Sequence, residues 1–288
     1  MKDITYHQWV FQASDGYPIT CHHWLPCHTP ANTRIMILHG IQSHAGWYRH
    51  LAEILAEHGV EVLMPDRRGS GANLTERGHA ANGNRLIDDL LEITNNWSLR
   101  SKSHSKPFLA GISWGGKLAA FTAAKKPETF AGLALIAPGL FARVRPPITT
   151  QLRIAFAALF SPRKLFEIPL ADASLFTSQP EWQSFINTDL STLHKATARF
   201  FIVSRLFDLR LRRIRKSLKL PILLQIAASD RIVNNDKIIH YVNSLPSSEK
   251  KLIKYLDAHH TLEFEPEPVA SQYAIDLKNW LLQVSGKK

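Results

Sequence analysis

The pentapeptide at residues 111–115, G-I-S-W-G, places Ser113 between two glycines at the spacing G-x-S-x-G. An apolar run, residues 107–110, precedes it, and a run of helix-forming composition, residues 116–124, follows it. Strand, motif and helix in this order are typical of a nucleophile elbow, a strained turn that projects the serine hydroxyl away from the backbone. Glycines two residues before and after the serine leave room for strand and helix to cross. The pattern therefore predicts Ser113 as the nucleophile of an acyl-transfer reaction.

A serine nucleophile needs a base that accepts its proton and a carboxylate that orients the base. Asp230 directly follows an apolar predicted strand, so it lies where side chains project from the carboxyl end of a sheet. Asp236 falls in the predicted first turn of a helix, where helix capping accounts for it. The base candidates, His259 and His260, follow the last predicted strand. Their types and positions alone leave the choice between the two histidines open.

Short apolar runs alternate with segments of helical spacing along most of the chain. Residues 6–11 and 18–25 predict an opening β-hairpin because apolar and polar side chains alternate in both. The later runs are continuously apolar, which is typical of strands buried on both faces of a parallel sheet. The fold class predicted is α/β, with a mostly parallel central sheet flanked by helices. The later predicted strands are 34–38, 60–64, 107–110, 132–137, 222–227 and 251–256, and the predicted helices are 46–57, 86–99, 116–124, 236–245 and 269–284.

Residues 141–220 interrupt this alternation. They lack strand-like alternation and predict several short amphipathic helices. A helical insertion between two sheet strands would cover the carboxyl ends of the strands, where open α/β sheets bind ligands. We therefore predict a core of residues 1–140 and 221–288 with an inserted α-helical cap, or lid, of residues 141–220; a helical layer that only stabilises the core is compatible with this. The insertion is rich in phenylalanine: Phe156, Phe160, Phe166, Phe176, Phe185, Phe200, Phe201 and Phe207.

Composition excludes several other classes of protein. The chain has 288 residues, and its 45% hydrophobic content supplies a large core without a run long enough to span a bilayer. The N-terminal segment lacks the apolar region of a secretory signal. Cys21 and Cys27 fit neither a zinc pattern nor a disulfide framework, which favours a cytoplasmic protein. The 14 histidines form no metal-binding motif, so we expect neither a metal nor another cofactor.

The net charge of +11 is concentrated in one segment near the end of the insertion. A nucleic-acid site would need interleaved aromatic residues or a known motif, and the segment has neither, so no nucleic-acid partner is expected. A solvated basic face is the default interpretation, and attraction to an anionic membrane surface or to an acidic partner is the alternative. The segment contains Arg205, Arg210, Arg212, Arg213, Arg215, Lys216 and Lys219, interrupted by Asp208.

Four motifs taken together resemble one branch of the α/β-hydrolase superfamily. They are H-G-I-Q-S-H at residues 39–44, the elbow at 111–115, S-D-R at 229–231 and A-H-H-T-L at 258–262. As a set they are similar to the monoglyceride lipase and lysophospholipase branch, of serine aminopeptidase S33 type. The resemblance spans roughly residues 6 to 280 and implies the α/β-hydrolase fold.

The resemblance also assigns residues that the spacing leaves open. It places the catalytic histidine at His260 and leaves His259 at a variable position. It implies that the backbone N–H groups of Ile41 and Trp114 form the oxyanion hole. This sequence departs from the family pattern at two places, and both concern substrate selection rather than hydrolysis. Gln42 and Ser43 stand where the family often has Gly-Glu, and the family-like loop at residues 65–71 is unusually basic. His39 and Asp66 are expected to brace loops, and His44 to pack in a loop or to line the entrance.

The resemblance implies a serine hydrolase that cleaves carboxylic esters with apolar acyl chains through an acyl-enzyme on Ser113. The substrate would be a small-molecule ester or lipid such as a monoacylglycerol or lysophospholipid, and the protein cytoplasmic, with peripheral membrane contact as an option. A thioesterase, a peptidase that releases an N-terminal residue, and a carbon–carbon hydrolase would use the same three residues. A non-catalytic binding protein with this fold is a more remote alternative. Haloalkane dehalogenases and epoxide hydrolases are disfavoured because they need an aspartate at the position of Ser113.

Overall fold

The computed structural model describes residues 4–27, 32–101, 103 and 105–286. Within these ranges eight strands form one sheet, and two short strands form a separate pair. The strands are β1 (Ile4–Gln12), β2 (Pro18–Pro26), β3 (Thr33–Leu38), β4 (Val60–Pro65), β5 (Phe108–Ile112), β6 (Leu133–Ile136), β7 (Leu165–Glu167), β8 (Lys195–Thr197), β9 (Ile222–Ala227) and β10 (Lys250–Tyr255).

From β3 onward the helices alternate with the strands of the large sheet, except in the insertion. The strand order in this sheet is β1-β2-β4-β3-β5-β6-β9-β10. Pairing is antiparallel between β1 and β2 and between β2 and β4, and parallel from β4 to β10. The predicted mostly parallel α/β sheet is therefore confirmed. The α-helices are α1 (Arg49–Glu57), α2 (Gly83–Arg100), α3 (Trp114–Lys125), α4 (Ile148–Phe160), α5 (Pro180–Thr188), α6 (Ala198–Ile214), α7 (Asn235–Asn243) and α8 (Val269–Ser285).

The central strands are apolar because helices cover both faces of the sheet. Every residue of β3, β4, β5, β6 and β9 is buried. The ring of Trp280 from α8 packs 5.4 Å from that of Phe108 in β5, and the Trp97 ring of α2 is also fully buried. The edge strand β10 is mostly exposed and carries lysines, which discourage pairing with another sheet. The elements predicted outside the insertion are found within a few residues of their expected bounds.

The insertion at residues 141–220 contains α4, α5 and α6, as its helical spacing predicts. The insertion also contains two strands that the sequence pattern does not predict, β7 and β8, which pair antiparallel within it. Each has three residues, too few to show alternation in the sequence. Their position is set by the core, since the Thr197 N–H donates to the Gly78 carbonyl over 2.9 Å. Gly78 has a φ of +71°, and a Cβ there would collide with the Lys195 carbonyl, so glycine permits this close approach.

Candidate active site

Ser113 stands on a sharp turn between β5 and α3. Its φ of 53° and ψ of −123° are strained for a residue with a side chain and are typical of a nucleophile elbow. The Ser113 N–H donates to the Ile136 carbonyl of β6 over 3.0 Å, which ties the turn to the neighbouring strand. A Cβ at Gly111 would collide with the Gly115 carbonyl, and one at Gly115 with the Leu38 carbonyl. Gly111 therefore leaves room for β5 and α3 to cross, and Gly115 lets α3 pass close to the end of β3.

His260 and Asp230 extend from Ser113 in a line of hydrogen bonds. The Ser113 hydroxyl donates to His260 Nε2 over 2.8 Å, and His260 Nδ1–H donates to Asp230 Oδ2 over 2.6 Å. Asp230 follows β9 and His260 follows β10, and both side chains are buried. Asp230 Oδ1 accepts the N–H groups of Ile232 and Val233 over 2.8 and 3.1 Å. The structure thus brings together the three residues that the sequence predicts, with the carboxylate fixed by backbone groups.

The neighbouring histidine faces a different partner. The His259 N–H donates to Glu265 Oε1 over 3.0 Å, and the His259 ring nitrogen Nδ1 lies 3.3 Å from the same oxygen. Burial raises the pKa of the Glu265 carboxyl, while the contacts with His259 oppose this rise. The His260 ring instead packs against the edge of Phe176, with 6.1 Å between ring centroids. Adjacent histidines therefore occupy separate environments, and His260 is the one that contacts Ser113.

The loop after β3 lies directly against Ser113. A Cβ at Gly40 would be 3.3 Å from the Ser113 Cβ, so the backbone passes close to the serine. The Gly40 N–H donates to Ser43 Oγ over 2.8 Å, and Arg67 Nη2–H donates to the Ile41 carbonyl over 3.0 Å. The Trp114 N–H belongs to the first turn of α3, where N–H groups lack an acceptor within the helix. Ile41, Ser113 and Trp114 line the same cavity.

Buried polar side chains brace this loop. His39 Nε2 accepts the Arg67 N–H over 2.9 Å, which leaves the ring proton on Nδ1 for the Gly40 carbonyl. Burial lowers the pKa of His39 to about 3, so the ring stays neutral. Burial alone would raise the pKa of Asp66, but hydrogen bonds from His22 and from backbone N–H groups hold it at about 2. The basic loop after β4 is thus explained in part by its contacts with the loop after β3.

His44 joins the core to the insertion. It accepts the Gly46 N–H at Nδ1 over 3.1 Å and donates from Nε2 to Asp189 Oδ2 over 2.9 Å. The Trp47 Nε1–H donates to the same carboxylate oxygen over 2.9 Å. Asp189 directly follows α5, and nothing in the sequence pattern pairs it with His44. Of the two expectations for His44, loop packing is the one that these contacts match.

A cavity of about 350 Å³ opens beside Ser113. The core contributes Ile232 and Val233 on the loop after Asp230, and the insertion contributes most of the remaining wall. One part of the wall is polar and includes a lysine buried on α3, which the sequence reasoning missed. A charged residue one helical turn after the serine, in an otherwise apolar helix, is the signal that could have found it. The apolar wall includes Ala142, Val144, Ile154, Ile168, Leu170 and Phe201, and the polar wall Lys117, Arg145, Gln151, Ser204, Arg205 and Asp208.

Two features are absent from the described ranges. Within them, no cluster of three or more histidine, cysteine, aspartate or glutamate side chains is arranged to hold a metal ion. None of the helices given above combines the length and the apolar character that a membrane-spanning segment needs.

A serine elbow on a mostly parallel sheet, followed by an aspartate and a histidine after later strands, defines the α/β-hydrolase class. Solved structures share this fold. The Paleococcus ferrophilus monoacylglycerol lipase aligns with a TM-score of 0.80 and 19% identity, covering 97% of this chain and 99% of its own. A soluble variant of monoglyceride lipase from Saccharomyces cerevisiae, in complex with a substrate analog, aligns with a TM-score of 0.82 and 20% identity, over 97% and 94%.

Sequence comparison defines the family. The monoglyceride lipase of Rattus norvegicus is 28% identical over 93% of this chain and 88% of its own length. Phospholipase YtpA of Bacillus subtilis (strain 168) is 23% identical, over 81% and 89%. The family model described as "Serine aminopeptidase, S33" matches residues 29–267. The chain belongs to this family, and the predicted α/β-hydrolase fold and family resemblance are confirmed.

Proposed function

We propose that the protein is a serine hydrolase that cleaves carboxylic esters with apolar acyl chains through an acyl-enzyme on Ser113. The observation that carries this proposal is the hydrogen-bonded line from Ser113 through His260 to Asp230, at the wall of a largely apolar cavity. Similarity to lipases and a phospholipase supports the ester class. An apolar acyl chain finds its contacts in the insertion, and the reacting carbonyl then lies at Ser113.

His260 acts as the general base. It accepts the Ser113 proton at Nε2 as the hydroxyl oxygen attacks the ester carbonyl, and a tetrahedral oxyanion forms. The N–H groups of Ile41 and Trp114 donate to this oxyanion. Collapse breaks the bond to the alcohol oxygen, which takes the proton from His260 Nε2–H. The alcohol leaves, and water, deprotonated by His260, attacks the acyl-enzyme. Collapse of the second tetrahedral intermediate breaks the bond between the acyl carbon and Ser113 Oγ, which takes the proton from His260, and releases the carboxylic acid.

Asp230 fixes the tautomer of His260. Its carboxylate accepts Nδ1–H, so the unprotonated Nε2 faces Ser113 in the resting state. The Ile232 and Val233 N–H groups hold the carboxylate in place, and it stabilises the imidazolium that forms when the serine attacks. The strength of this arrangement lies in geometry that exists before the substrate binds.

The cavity favours esters over N-terminal peptide bonds. A peptidase that releases an N-terminal residue must hold an ammonium group, which needs a free carboxylate. The carboxylate in the cavity wall, Asp208, already binds Lys117, with 2.5 Å between Oδ1 and Nζ. Arg145 and Arg205 add further positive charge to the wall, so an ammonium group would be repelled.

We further propose that residues 141–220 form a cap whose α4 contacts a lipid surface. Five apolar side chains of α4 are exposed. Four of them are spaced four residues apart and therefore lie along one side of the helix. Exposed patches of this kind mark interaction sites, and basic side chains nearby favour an anionic membrane. Arg153 lies on α4 itself, and the exposed basic residues 210–219 add charge on and after α6. The five apolar residues are Ile148, Leu152, Phe156, Leu159 and Phe160.

A graded panel of p-nitrophenyl esters and matched thioesters, from acetyl to dodecanoyl, tests the hydrolytic proposal. Burying each methylene is worth about 0.8 kcal/mol, so kcat/KM should rise nearly fourfold per carbon until the cavity is full. Ser113→Ala supplies the background rate. A flat response to chain length would contradict the acyl-chain assignment. Preference for amino-acid anilides over every ester would move the assignment to a peptidase.

A further inference from the structure

The polar part of the cavity wall is held together by side-chain contacts between α3 and α6. Lys117 lies one helical turn after Ser113 on α3, and its side chain is only 5% exposed. Its ammonium group binds Asp208 of α6 and lies 3.4 Å from Ser204 Oγ, which also accepts Trp114 Nε1–H over 2.9 Å. These three polar contacts join α3 to α6, and those of Lys117 start about one helical turn, roughly 6 Å, from the nucleophile.

Positive charge in this wall exceeds negative charge. Lys117 and Asp208 neutralise each other, while Arg145 and Arg205 each add a positive charge to the lining. Among the described residues neither arginine has a carboxylate within ion-pair distance, and Arg145 Nε–H donates to the Ala142 carbonyl over 3.2 Å. Burial lowers the pKa of Lys117, Asp208 opposes this, and repulsion from Arg205 and Arg145 adds to the lowering. Both arginines line the same cavity as Lys117.

We propose that this cavity selects esters that carry an anionic group, a phosphate or a carboxylate, which Arg145 and Arg205 bind beside the Lys117–Asp208 pair. The proposal rests on the hydrolytic function proposed above and narrows its substrate class. A neutral ester leaves the positive charges of both arginines in the cavity lining unpaired, whereas an anionic group can accept charge-assisted hydrogen bonds from them. The Lys117–Asp208 pair keeps the buried ammonium satisfied and joins α6, which carries Arg205, to α3.

The position of the cluster limits where the anion sits on the substrate. Lys117 is about one helical turn from Ser113, so the anionic group is a few bonds from the scissile carbonyl. It belongs either to the alcohol, as in a glycerol phosphate, or to a short dicarboxylic acyl chain. Both have the same chemistry toward the arginines, and matched substrate pairs distinguish them.

The test measures kcat/KM for two matched pairs of esters. One pair is 1-decanoylglycerol 3-phosphate against 1-decanoylglycerol, and the other is mono-p-nitrophenyl glutarate against p-nitrophenyl valerate. We expect at least a tenfold preference for the anionic member of one pair, which corresponds to about 1.4 kcal/mol. The preferred pair identifies the side of the ester that carries the anion. The preference should fall as salt is raised, because the arginines are exposed.

Variants attribute the preference to the arginines. Arg145→Gln combined with Arg205→Gln should lower the anionic-to-neutral ratio at least tenfold. Arg210→Gln is the matched control, since Arg210 lies on α6 but outside this cavity, and it should keep the wild-type ratio. Asp208→Asn should raise the ratio, because it removes the one negative charge that the described residues contribute to the wall. Equal kcat/KM for both members of both pairs, or an unchanged ratio in the double variant, would overturn the proposal.

A binding measurement separates this proposal from the hydrolytic one. Calorimetric titration of the wild-type protein with decyl phosphate and with decanol compares an anionic and a neutral amphiphile without any bond cleavage. Binding of decyl phosphate at least tenfold more tightly than decanol, lost in the arginine double variant, supports the anion site even if no ester in the panel is hydrolysed. Equal affinities overturn it even if neutral esters are hydrolysed rapidly.

Discussion

The sheet edge that carries Ser113 and the insertion that covers it are held together in different ways. At the sheet edge, backbone hydrogen bonds fix the elbow to β6 and fix Asp230 to its own loop, and the side chains are buried. In the insertion, α4 buries only Ile154 and Ala157, which belong to a small cluster separate from the main core. Leu152 and Phe156 on the same helix are 65% and 66% exposed.

This difference separates chemistry from selection. Groups that must be placed to within a fraction of an ångström lie on loops anchored by the central strands. The apolar side chains proposed to contact a surface lie on α4, which has few buried residues and changes position at lower cost in free energy. Substitutions at the sheet edge should therefore change the rate for every substrate, whereas substitutions in the insertion should change which substrate or surface is preferred.

The largest expected effect separates the two adjacent histidines. His260→Ala removes the base and should lower kcat by roughly four to six decades for every ester tested. His259→Ala loses only a contact with Glu265 and should keep kcat within about tenfold of the wild type. Steady-state kinetics on a soluble short-chain ester measures both. The reverse pattern would show that the resemblance misassigns this position.

Asp230→Asn should lower kcat by about four decades, the scale observed when the equivalent carboxylate is neutralised in other serine hydrolases. The amide keeps the size of the carboxylate but stabilises neither the needed tautomer nor the imidazolium. Asp236→Asn is the matched control, because Asp236 is exposed in the first turn of α7 and should leave kcat unchanged. Circular dichroism checks that both variants are folded. Near-wild-type turnover by Asp230→Asn would remove Asp230 from the mechanism.

Glu263, three residues after His260, should make stability depend on pH. It accepts hydrogen bonds from the Tyr273 hydroxyl and the Leu51 N–H, and burial raises its pKa to about 7. Because the pKa of Glu263 is higher in the folded than in the unfolded state, the protonated carboxyl stabilises the fold. This contribution is fully present below about pH 4.5 and is lost as the pH rises through 7.

Glu263→Gln cannot ionise, so its free energy of unfolding should vary less than that of the wild type between pH 5 and 8. Over this range the change in the free energy of unfolding should differ between the wild type and Glu263→Gln by at most about 3 kcal/mol. Urea unfolding at several pH values measures it, with the exposed Glu267→Gln as control. Parallel profiles for wild type and Glu263→Gln would show that the buried carboxyl does not titrate in this window.

The smallest effect concerns the exposed face of α4. Leu152→Ser combined with Phe156→Ser should weaken binding to vesicles by about tenfold or more, because each side chain loses apolar area available to lipid. Leu74→Ser, a change at an equally exposed leucine outside the insertion, is the control. Co-sedimentation with vesicles of graded anionic lipid content measures the binding. Equal binding by the double variant and the wild type would contradict the lipid contact.

The basic segment at the end of α6 is tested separately from the exposed face of α4. Replacing Arg210, Arg212, Arg213 and Arg215 by glutamine should reduce the dependence of vesicle binding on anionic lipid and on salt. If both dependences persist unchanged, these residues form only a solvated face.

The sequence predicts the sheet edge better than the insertion for a physical reason. Central strands are buried on both faces, so their apolar runs are unmistakable, and Ser113 and Asp230 follow such runs directly. The choice of His260 required the family resemblance, because the sequence does not show which of two adjacent histidines on one loop faces Ser113. Glu265, which engages His259, lies six residues later and carries no signal of its own.

Contacts between core and insertion are the part that sequence reasoning did not reach. Lys117 meets Asp208, and His44 meets Asp189, across long stretches of chain. Such pairs depend on how α5 and α6 pack over the core, and each residue alone resembles an ordinary surface charge. Arg205 likewise belongs to a basic run in the sequence, yet it lines the cavity beside Ser113. Periodicity therefore reveals the helices of the insertion but not which of their charges face inward.

The assignment of Ser113 as the nucleophile is tested most directly by covalent labelling with a fluorophosphonate. Attack by the serine oxygen on phosphorus expels fluoride and leaves a stable adduct, which peptide mass spectrometry locates. We expect one adduct, on Ser113, formed rapidly in the wild type and in His259→Ala, slowed by several decades in His260→Ala, and absent in Ser113→Ala. An adduct on another residue, or rapid labelling that survives Ser113→Ala, would contradict the assignment of Ser113 as the nucleophile.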